Sequence, residues 1–303
     1  MPRWLRLGMM ASLAAFNAVG GSLHADMIQI GPAKDNTLYQ DAFGTLSNGS
    51  GERVFAGLTL SGLIRRAVIG FDIAANIPPG STINSVTLTM NMSRTISAGH
   101  TVELRALLAD WGEAGSDAGG QEGGGAPAQR NDATWIHTFF DTSFWAATGG
   151  DFSNTVSAST TVAGLGFYNW GSTPQMVSDV QDWLDNPGTD FGWIVLGDEA
   201  TSASAKRFDS RENPTAANRP LLTVDFSPPP SCPFNCGDID GSGGNVNLVD
   251  FASFAVCFNG SPSSSTACAC SDLDANGSIN LQDFATLSLI FNGSSTNVPP
   301  NCP

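Results

Sequence analysis

Between Arg66 and Phe226 the chain repeatedly alternates apolar and polar positions with a period of two, the pattern of strands with one buried face. Ala67, Ile69, Phe71 and Ile73 share one face of the first such run. Val86, Leu88, Met90 and Met92 share another, with Thr87, Thr89 and Asn91 opposite; Val102, Leu104 and Ala106, then Leu222, Val224 and Phe226, repeat the pattern. Gly192-Trp193-Ile194-Val195-Leu196-Gly197 has no polar phase, which predicts a fully buried central strand. One stretch changes period: Met176, Val177, Val180, Trp183 and Leu184 fall on a single helical face, entered through Ser172-Thr173-Pro174 and left at Asn186-Pro187-Gly188. Pro78-Pro79-Gly80 predicts a turn, and the glycines from Gly112 to Gly125 a long mobile loop. Trp111, Trp135 and Trp193, flanked by apolar alternation, are expected in the core. Many short strands and one helix predict a mainly β fold over residues 26–227, a β-sandwich of jelly-roll type.

The pattern changes after Ser227, where residues 228–231 form a proline-rich linker that favours extended backbone. Within residues 232–303, Asn247-Leu248-Val249-Asp250-Phe251-Ala252 recurs as Asn280-Leu281-Gln282-Asp283-Phe284-Ala285, and Phe258-Asn259-Gly260-Ser261 as Phe291-Asn292-Gly293-Ser294, both at a period of 33 residues. Each block predicts a polar loop running into an amphipathic helix, with Phe251, Phe254, Ala255 and Phe258 on one face of the first and Phe284, Leu287 and Phe291 of the second. Gly260 and Gly293 are the expected helix-closing residues.

The loops carry the clearest chemistry in the chain. In the second, Asp272, Asp274, Asn276, Ser278, Asn280 and Asp283 stand at positions 1, 3, 5, 7, 9 and 12 of a twelve-residue calcium loop, with the turn-making Gly277 at position 6. Asp instead of Glu at position 12 reaches an ion less readily in bidentate fashion, so affinity is expected toward the weaker end of the roughly 10⁻⁹ to 10⁻³ M that such loops span. The first loop offers Asp238, Asp240, Ser242, Asn247 and Asp250, with one extra residue near Gly244 and Asn245. All six acidic residues of the tail fall at these positions, and the tail has no Lys, Arg or His. Two Ca²⁺ ions are the expected cofactor.

Two such loop–helix units resemble the type I dockerin module, over roughly Cys236 to Gly293, so that the expected fold adds a small α-helical, EF-hand-like module. The resemblance implies calcium at the matched positions and a cohesin-like protein as partner. In that family loop positions 10 and 11 help to read the partner; here they are Leu248 and Val249, then Leu281 and Gln282, where dockerins often carry small hydroxylated residues.

Two features, the N-terminus and the cysteines, predict that this chemistry lies outside the cell, and the charge bears on its partners. Arg3 and Arg6, the apolar run Leu7 to Val19 and a small-residue cleavage point at Ala25 predict a signal peptide over residues 1–25, too short to be a membrane span. Its removal lowers 13 basic residues to 11 against 28 acidic ones, a formal charge of −17, which argues against nucleic acid and anionic membrane as partners. All six cysteines, Cys232, Cys236, Cys257, Cys268, Cys270 and Cys302, lie in the tail, and an oxidising compartment makes disulfides their default. Of the 15 pairings that six cysteines permit, the pseudo-twofold repeat favours Cys257 with Cys268 or Cys270, and Cys232 or Cys236 with Cys302. The localisation expected is secreted, extracellular or at the cell surface.

Arg65-Arg-Ala-Val-Ile-Gly-Phe-Asp72, Ile77-Pro-Pro-Gly-Ser-Thr-Ile-Asn-Ser-Val-Thr-Leu-Thr89, Asp110-Trp-Gly-Glu113, Asp132-Ala-Thr-Trp135 and Phe208-Asp-Ser-Arg-Glu212, in that order, resemble the DNRLRE family, related to carbohydrate-binding module family 96. The resemblance spans roughly Asp35 to Phe226 and implies a secreted β-sandwich, often attached to polysaccharide-active or surface proteins. A glycan ligand would stack on exposed aromatics from turn-rich stretches, for which Trp145, Trp170, Tyr168, Phe139 and Phe140 are the candidates. Arg211 and Glu212 are expected as a charge pair, and His137 as a satisfied hydrogen-bonding residue. No nucleophile elbow, zinc-spaced His-Glu pair or phosphate loop occurs, although Asp110 with Glu113 and Asp209 with Glu212 are carboxylate pairs of the kind glycosidases use. The leading expectation is a non-catalytic, carbohydrate-binding or surface-associated protein docked through its tail. The alternatives are a purely structural extracellular matrix component, or a polysaccharide lyase or hydrolase.

Overall fold

The computed structural model describes residues 25–229, 232, 237–243, 246–258, 268–274 and 276–291. The expected leader up to His24, Cys236, Cys302, the extra loop residue expected near Gly244 and Asn245, and Gly260 and Gly293, expected to close the helices, lie outside the described residues.

The chain is mainly β, with eleven antiparallel strands in one curled sheet. On one limb, Leu221–Ser227 and Lys206–Asp209 pair with successive parts of the long strand Thr82–Arg94, Asp26–Ile30 pairs outside Leu221–Ser227, and Gly166–Trp170 takes the other edge of Thr82–Arg94. On the other limb, Trp193–Leu196 lies between Ile64–Gly70 and His100–Ala106, with Lys34–Tyr39 and Ala158–Val162 outside them. Arg53–Leu58 joins the limbs: residues 53–56 pair with Lys206–Asp209, and Gly57 and Leu58 with the start of Ile64–Gly70. That sharing folds the sheet over on itself, so that the apolar faces of the two limbs meet.

The alternation read from the sequence fills the space between them. Val86, Leu88, Met90, Met92, Leu222 and Val224 come from one limb, and Ala67, Ile69, Val102, Leu104 and Trp193 from the other. Ile83 and Val86 both point inward although three residues apart, because the pairing with Leu221–Ser227 shifts register at Asp225 and Phe226. The helix α1, Pro174–Asp185, covers the open side with Met176, Val180, Trp183 and Leu184. Thr173 caps it, accepting from the Met176 amide, and Pro174 stands in the first turn, where its missing N–H costs nothing.

A second apolar layer lies on the outside of the limb that holds Trp193–Leu196. Val68, Ile194 and Leu38 meet Trp111, Trp135 and Trp145 there. The segment that supplies these tryptophans was expected to include a mobile loop, but its glycine-rich part is pinned. Ser116, Ala118 and Glu122 are buried. Asn48 accepts from the Ala118 amide at 2.8 Å and donates to Glu122 at 3.0 Å, and Arg53 pairs with Glu122 at 2.5 Å. Glycine provides the turns here, and buried polar contacts remove the freedom it would otherwise have.

In the tail, α2 (Leu248–Cys257) and α3 (Leu281–Ile290) pack around Ile239, Val246, Phe254, Leu273, Ile279 and Leu287. Cys257–Cys268 and Cys232–Cys270 form disulfides. The first is one of the expected pairings; the second removes Cys232 from the two candidates expected opposite Cys302, and the other, Cys236, lies outside the described residues together with Cys302. The stretch next to the second loop brings Cys270 to the start of the tail, and the small core needs such staples. Among the described residues no cysteine is free and no helix is long and apolar enough to cross a membrane.

Candidate metal-binding loops and ligand surfaces

Each tail loop gathers its three aspartates at the start of a helix. One carboxylate oxygen from each of Asp238, Asp240 and Asp250 lies within 4.8 Å of the others, and the same holds for Asp272, Asp274 and Asp283. Those separations do not exceed the diameter of a calcium shell, whose ligands lie about 2.3–2.6 Å from the ion. The backbone sets the geometry. Asn280 caps α3 and Asp283 returns the bond to the Asn280 amide, and Asn247 and Asp250 do the same for α2. Asp283 Oδ1 also accepts from the Leu273 amide at 2.7 Å, and Asp250 Oδ1 from Ile239 at 2.7 Å. The residue at position 12 is therefore both a candidate ligand and the knot that ties the loop's start to its end.

The remaining candidate ligands are held by the turn itself. Asp272 accepts from the amides of Asn276 and Gly277 at 3.1 and 2.9 Å, and Asp238 from those of Ser242 and Gly243 at 2.9 and 3.1 Å. Asn276 accepts from Ser278, Asn280 from Gln282 and Asn247 from Val249. Partial burial, followed by the charges of Asp283 and Asp272, raises the pKa of Asp274 above the ordinary carboxylate range. The hydrogen bonds from Ser242, its side chain first, lower that of Asp240.

A third acidic triad, Asp35, Glu113 and Glu212, differs in having a basic residue at its centre. Arg211 fills it: its guanidinium lies 2.6 Å from Glu113 and 2.7 Å from Glu212, and its amide donates to Asp35 at 2.7 Å. Burial is the largest influence on all three acids, raising Asp35 and Glu212 and pushing Glu113 up to about 7. The tail itself offers no such arginine, since it contains no basic residue. The expected Arg211–Glu212 pair is present, and Glu113 joins it. Asp209, expected as a possible partner for Glu212, is buried and accepts from Asn91.

The aromatic candidates divide. Trp145 and Trp170 are buried, their indole N–H groups donating to the carbonyls of Thr134 and Val102, so neither offers a face to a sugar. Tyr168, Phe139 and Phe140 are half-buried, with Tyr168 donating to the Gly164 carbonyl and Phe140 edge-on to His137. His137 is buried and bonded to Thr134, as expected of a satisfied residue. Among the described residues of the β region the exposed rings are Phe43, Phe144 and Phe167, at 80%, 67% and 57%. Parity was the available signal: in Gly166–Trp170 Trp170 points inward, so Phe167 and Asn169 point out, and Phe144 neighbours the buried Trp145.

Phe167 borders a groove of about 480 Å³ on the outer face of the sheet, shared with Gln29, Thr89, Thr223, Arg211 and Arg219. An apolar groove of about 290 Å³ runs between the tail helices, lined by Leu248, Phe251, Phe284, Leu287, Ser288 and Phe291. Phe251 and Phe284 were expected on the inner faces of α2 and α3. They lie on this half-open seam instead, because the capping aspartates and Cys257 take the inward positions. No family model matches the chain, and neither does any curated protein.

Proposed function

We propose that this is an exported, calcium-stabilised adaptor: a jelly-roll-type β-sandwich that binds carbohydrate or associates with a surface, followed by a dockerin-like module that docks onto another protein. The observation that carries the reading is the convergence of the tail's six aspartates into two triads, without a basic residue in the tail to neutralise them. A cation that accepts carboxylate, amide and carbonyl oxygen suits that donor set, and Ca²⁺ fits the loop length and the shell size. The six cysteines confined to the tail, two disulfides among its described residues and the leader-like first 25 residues support an oxidising, extracellular setting.

The docking surface of this reading is the apolar seam of α2 and α3. Leu248, Val249 and Leu281, at the partner-reading positions of the two loops, are all exposed. A tail of this charge with an uncharged apolar seam fits a partner that presents an apolar patch with a neutral or basic rim, as a cohesin-like protein would. For the β region, the groove beside Phe167 offers one ring face, hydroxyls and amides, the mixture that neutral sugar hydroxyls and apolar ring faces require.

Isothermal titration of the full chain with calcium tests the reading: two ions should bind, and Asp272→Ala should remove one. Fewer than one ion at millimolar calcium would end it. The burial of Trp145 and Trp170 favours a second reading, a structural extracellular component without a glycan ligand. A glycan array on the calcium-loaded protein and its Phe167→Ala variant separates the two.

A further inference from the structure

The turn-making glycines of the two loops sit in opposite surroundings. Gly243, in the first loop, is exposed, and a β-carbon built there would meet nothing within 4 Å. Gly277, its counterpart in the second, is buried although its neighbours Asn276 and Ser278 are exposed. What buries it is the β region: a β-carbon on Gly277 would come within 2.8 Å of the Gly80 α-carbon and 3.0 Å of its nitrogen, and one on Gly80 within 2.9 Å of the Gly277 α-carbon. The two backbones touch because neither residue has a side chain. Both have positive φ, +75° at Gly80 and +84° at Gly277, which glycine adopts without strain.

The two sides of this contact differ in stiffness. Gly80 is the third residue of a tight turn, Pro78 to Ser81, closed by the Ser81 amide to the Pro78 carbonyl at 3.2 Å. Pro79 restricts the backbone before it, Ile77 and Ser81 are buried on either side, and Gln181 of α1 donates to the Ser81 carbonyl and accepts from the Ile83 amide. Gly80 is thus fixed to the main core. Gly277 is held by the Asp272 carboxylate, which accepts its amide at 2.9 Å. Asp272 belongs to a triad of like charges, so the conformation that presents Gly277 is opposed by repulsion until those charges are neutralised.

We propose that the second loop is a calcium-dependent clasp: when its triad holds calcium, the loop presents the Gly277 backbone to the Pro78–Ser81 turn and fixes the tail on the β region. The inference rests on the calcium reading above. The first loop, with Gly243 in the open, binds its ion without affecting the orientation of the modules. The clasp makes the seam of α2 and α3 face one direction relative to the β region, so calcium controls how the adaptor presents its cargo and not only whether the tail folds. Linkage makes the effect reciprocal: the turn strengthens calcium binding by the same factor as calcium strengthens the contact.

The test uses the full chain. Gly80→Asn places a side chain in the contact while keeping a residue that tolerates positive φ, and Gly62→Asn, at φ +76° with nothing within 4 Å of its β-carbon, controls for backbone strain. Calorimetry reads calcium binding, and small-angle X-ray scattering with limited proteolysis of the proline linker reads the orientation. Wild type and Gly62→Asn should become more compact and protease-resistant on adding calcium. Gly80→Asn should bind two ions but remain extended and cleavable, with its second-loop affinity reduced about fivefold or more. Asp272→Ala, which leaves the turn untouched, should also remain extended. Calcium binding by wild type without compaction overturns the clasp alone, as does unchanged compaction in Gly80→Asn. Absence of calcium binding by wild type overturns the calcium reading and the clasp with it.

Discussion

Asp272 and Asp283 stand in the same triad but do different work, and their substitutions separate ligation from folding. Asp272 is half-buried and accepts from the Asn276 and Gly277 amides of its own turn, whereas Asp283 is fully buried and joins the α3 cap to the loop's start. Asp272→Ala should remove one calcium and leave the calcium-free tail nearly unchanged. Asp283→Ala should remove that ion and also destabilise the calcium-free tail by about 1–3 kcal/mol, because buried amides lose their acceptor. Chelator-treated urea unfolding, followed by far-UV circular dichroism, measures the difference. The aromatics allow a similar comparison. Trp145→Ala opens a cavity in the second apolar layer and should cost about 3–5 kcal/mol, while Phe167→Ala, more than half exposed, should leave the melting temperature within a degree or two and act only on ligand binding. The gathering of the loop aspartates was legible in the sequence because they lie close in the chain, and an Asp-x-Asp-x-Asn-Gly run brings them together with no long-range help. The failure at Trp145 and Trp170 has the opposite cause: the aromatic ring suits both a sugar face and a core, and only the layer formed by Leu38, Val68 and Ile194 decides for Trp145.

At the scale of elements, local signals placed α1, α2 and α3 well. Thr173-Pro174 opens α1, and the recurrent Asn-x-x-Asp opens α2 and α3 as capping boxes. Replacing Asn280 by Ala should cost about 1 kcal/mol in tail stability and weaken calcium binding at the second loop, a shift that chemical denaturation with and without calcium reads directly. The disulfides reinforce the same small core. Alkylation without reductant should leave Cys232, Cys257, Cys268 and Cys270 unlabelled, and reduction should lower tail stability by roughly 3 kcal/mol, the scale for closing a short loop; mass spectrometry and thermal unfolding under reductant check both. Strand identity was equally local, but the partners were not. Nothing in the alternation of Val86, Leu88, Met90 and Met92 says that Leu88 lies opposite both Leu222 and Trp170.

For the whole molecule, calcium and pH should act on different regions. Calcium at about a hundredfold over its Kd stabilises whatever binds it by roughly 2.7 kcal/mol, and under the proposed calcium reading this gain would belong to the tail. Six of the seven tryptophans lie in the β region and none in the tail, so tryptophan fluorescence should follow the unfolding of the β region and miss the tail's response. The β region carries a pH dependence of its own through Asp35, Glu113 and Glu212. Their folded pKa values lie above the unfolded ones, so the folded state holds more protons, and stability present at low pH is lost as pH rises through the folded values. For Glu113 the window runs from about 4.5 to about 7. Melting curves in saturating calcium should therefore show the β region losing on the order of 2 kcal/mol between pH 5 and pH 8 from Glu113 alone, and Glu113→Gln should flatten that slope. A wild-type slope of the opposite sign in this range would refute the assignment.

Determination by sequence alone extended as far as interactions between near neighbours do. The mainly β character, the central strand Trp193–Leu196, the helix starts, the two carboxylate triads and the charge of the tail all follow from periodicity, capping chemistry and spacing. Tertiary structure decided what depends on residues distant in the chain. It curled the sheet through Arg53–Leu58, pinned the glycine-rich segment with Asn48 and Arg53, surrounded Arg211 with Asp35, Glu113 and Glu212, joined Cys232 to Cys270, and set Gly277 against Gly80. The physical reason is common to all five. Each contact is made by a group whose sequence context is compatible with several partners, and the partner is chosen by the packing that brings the two together.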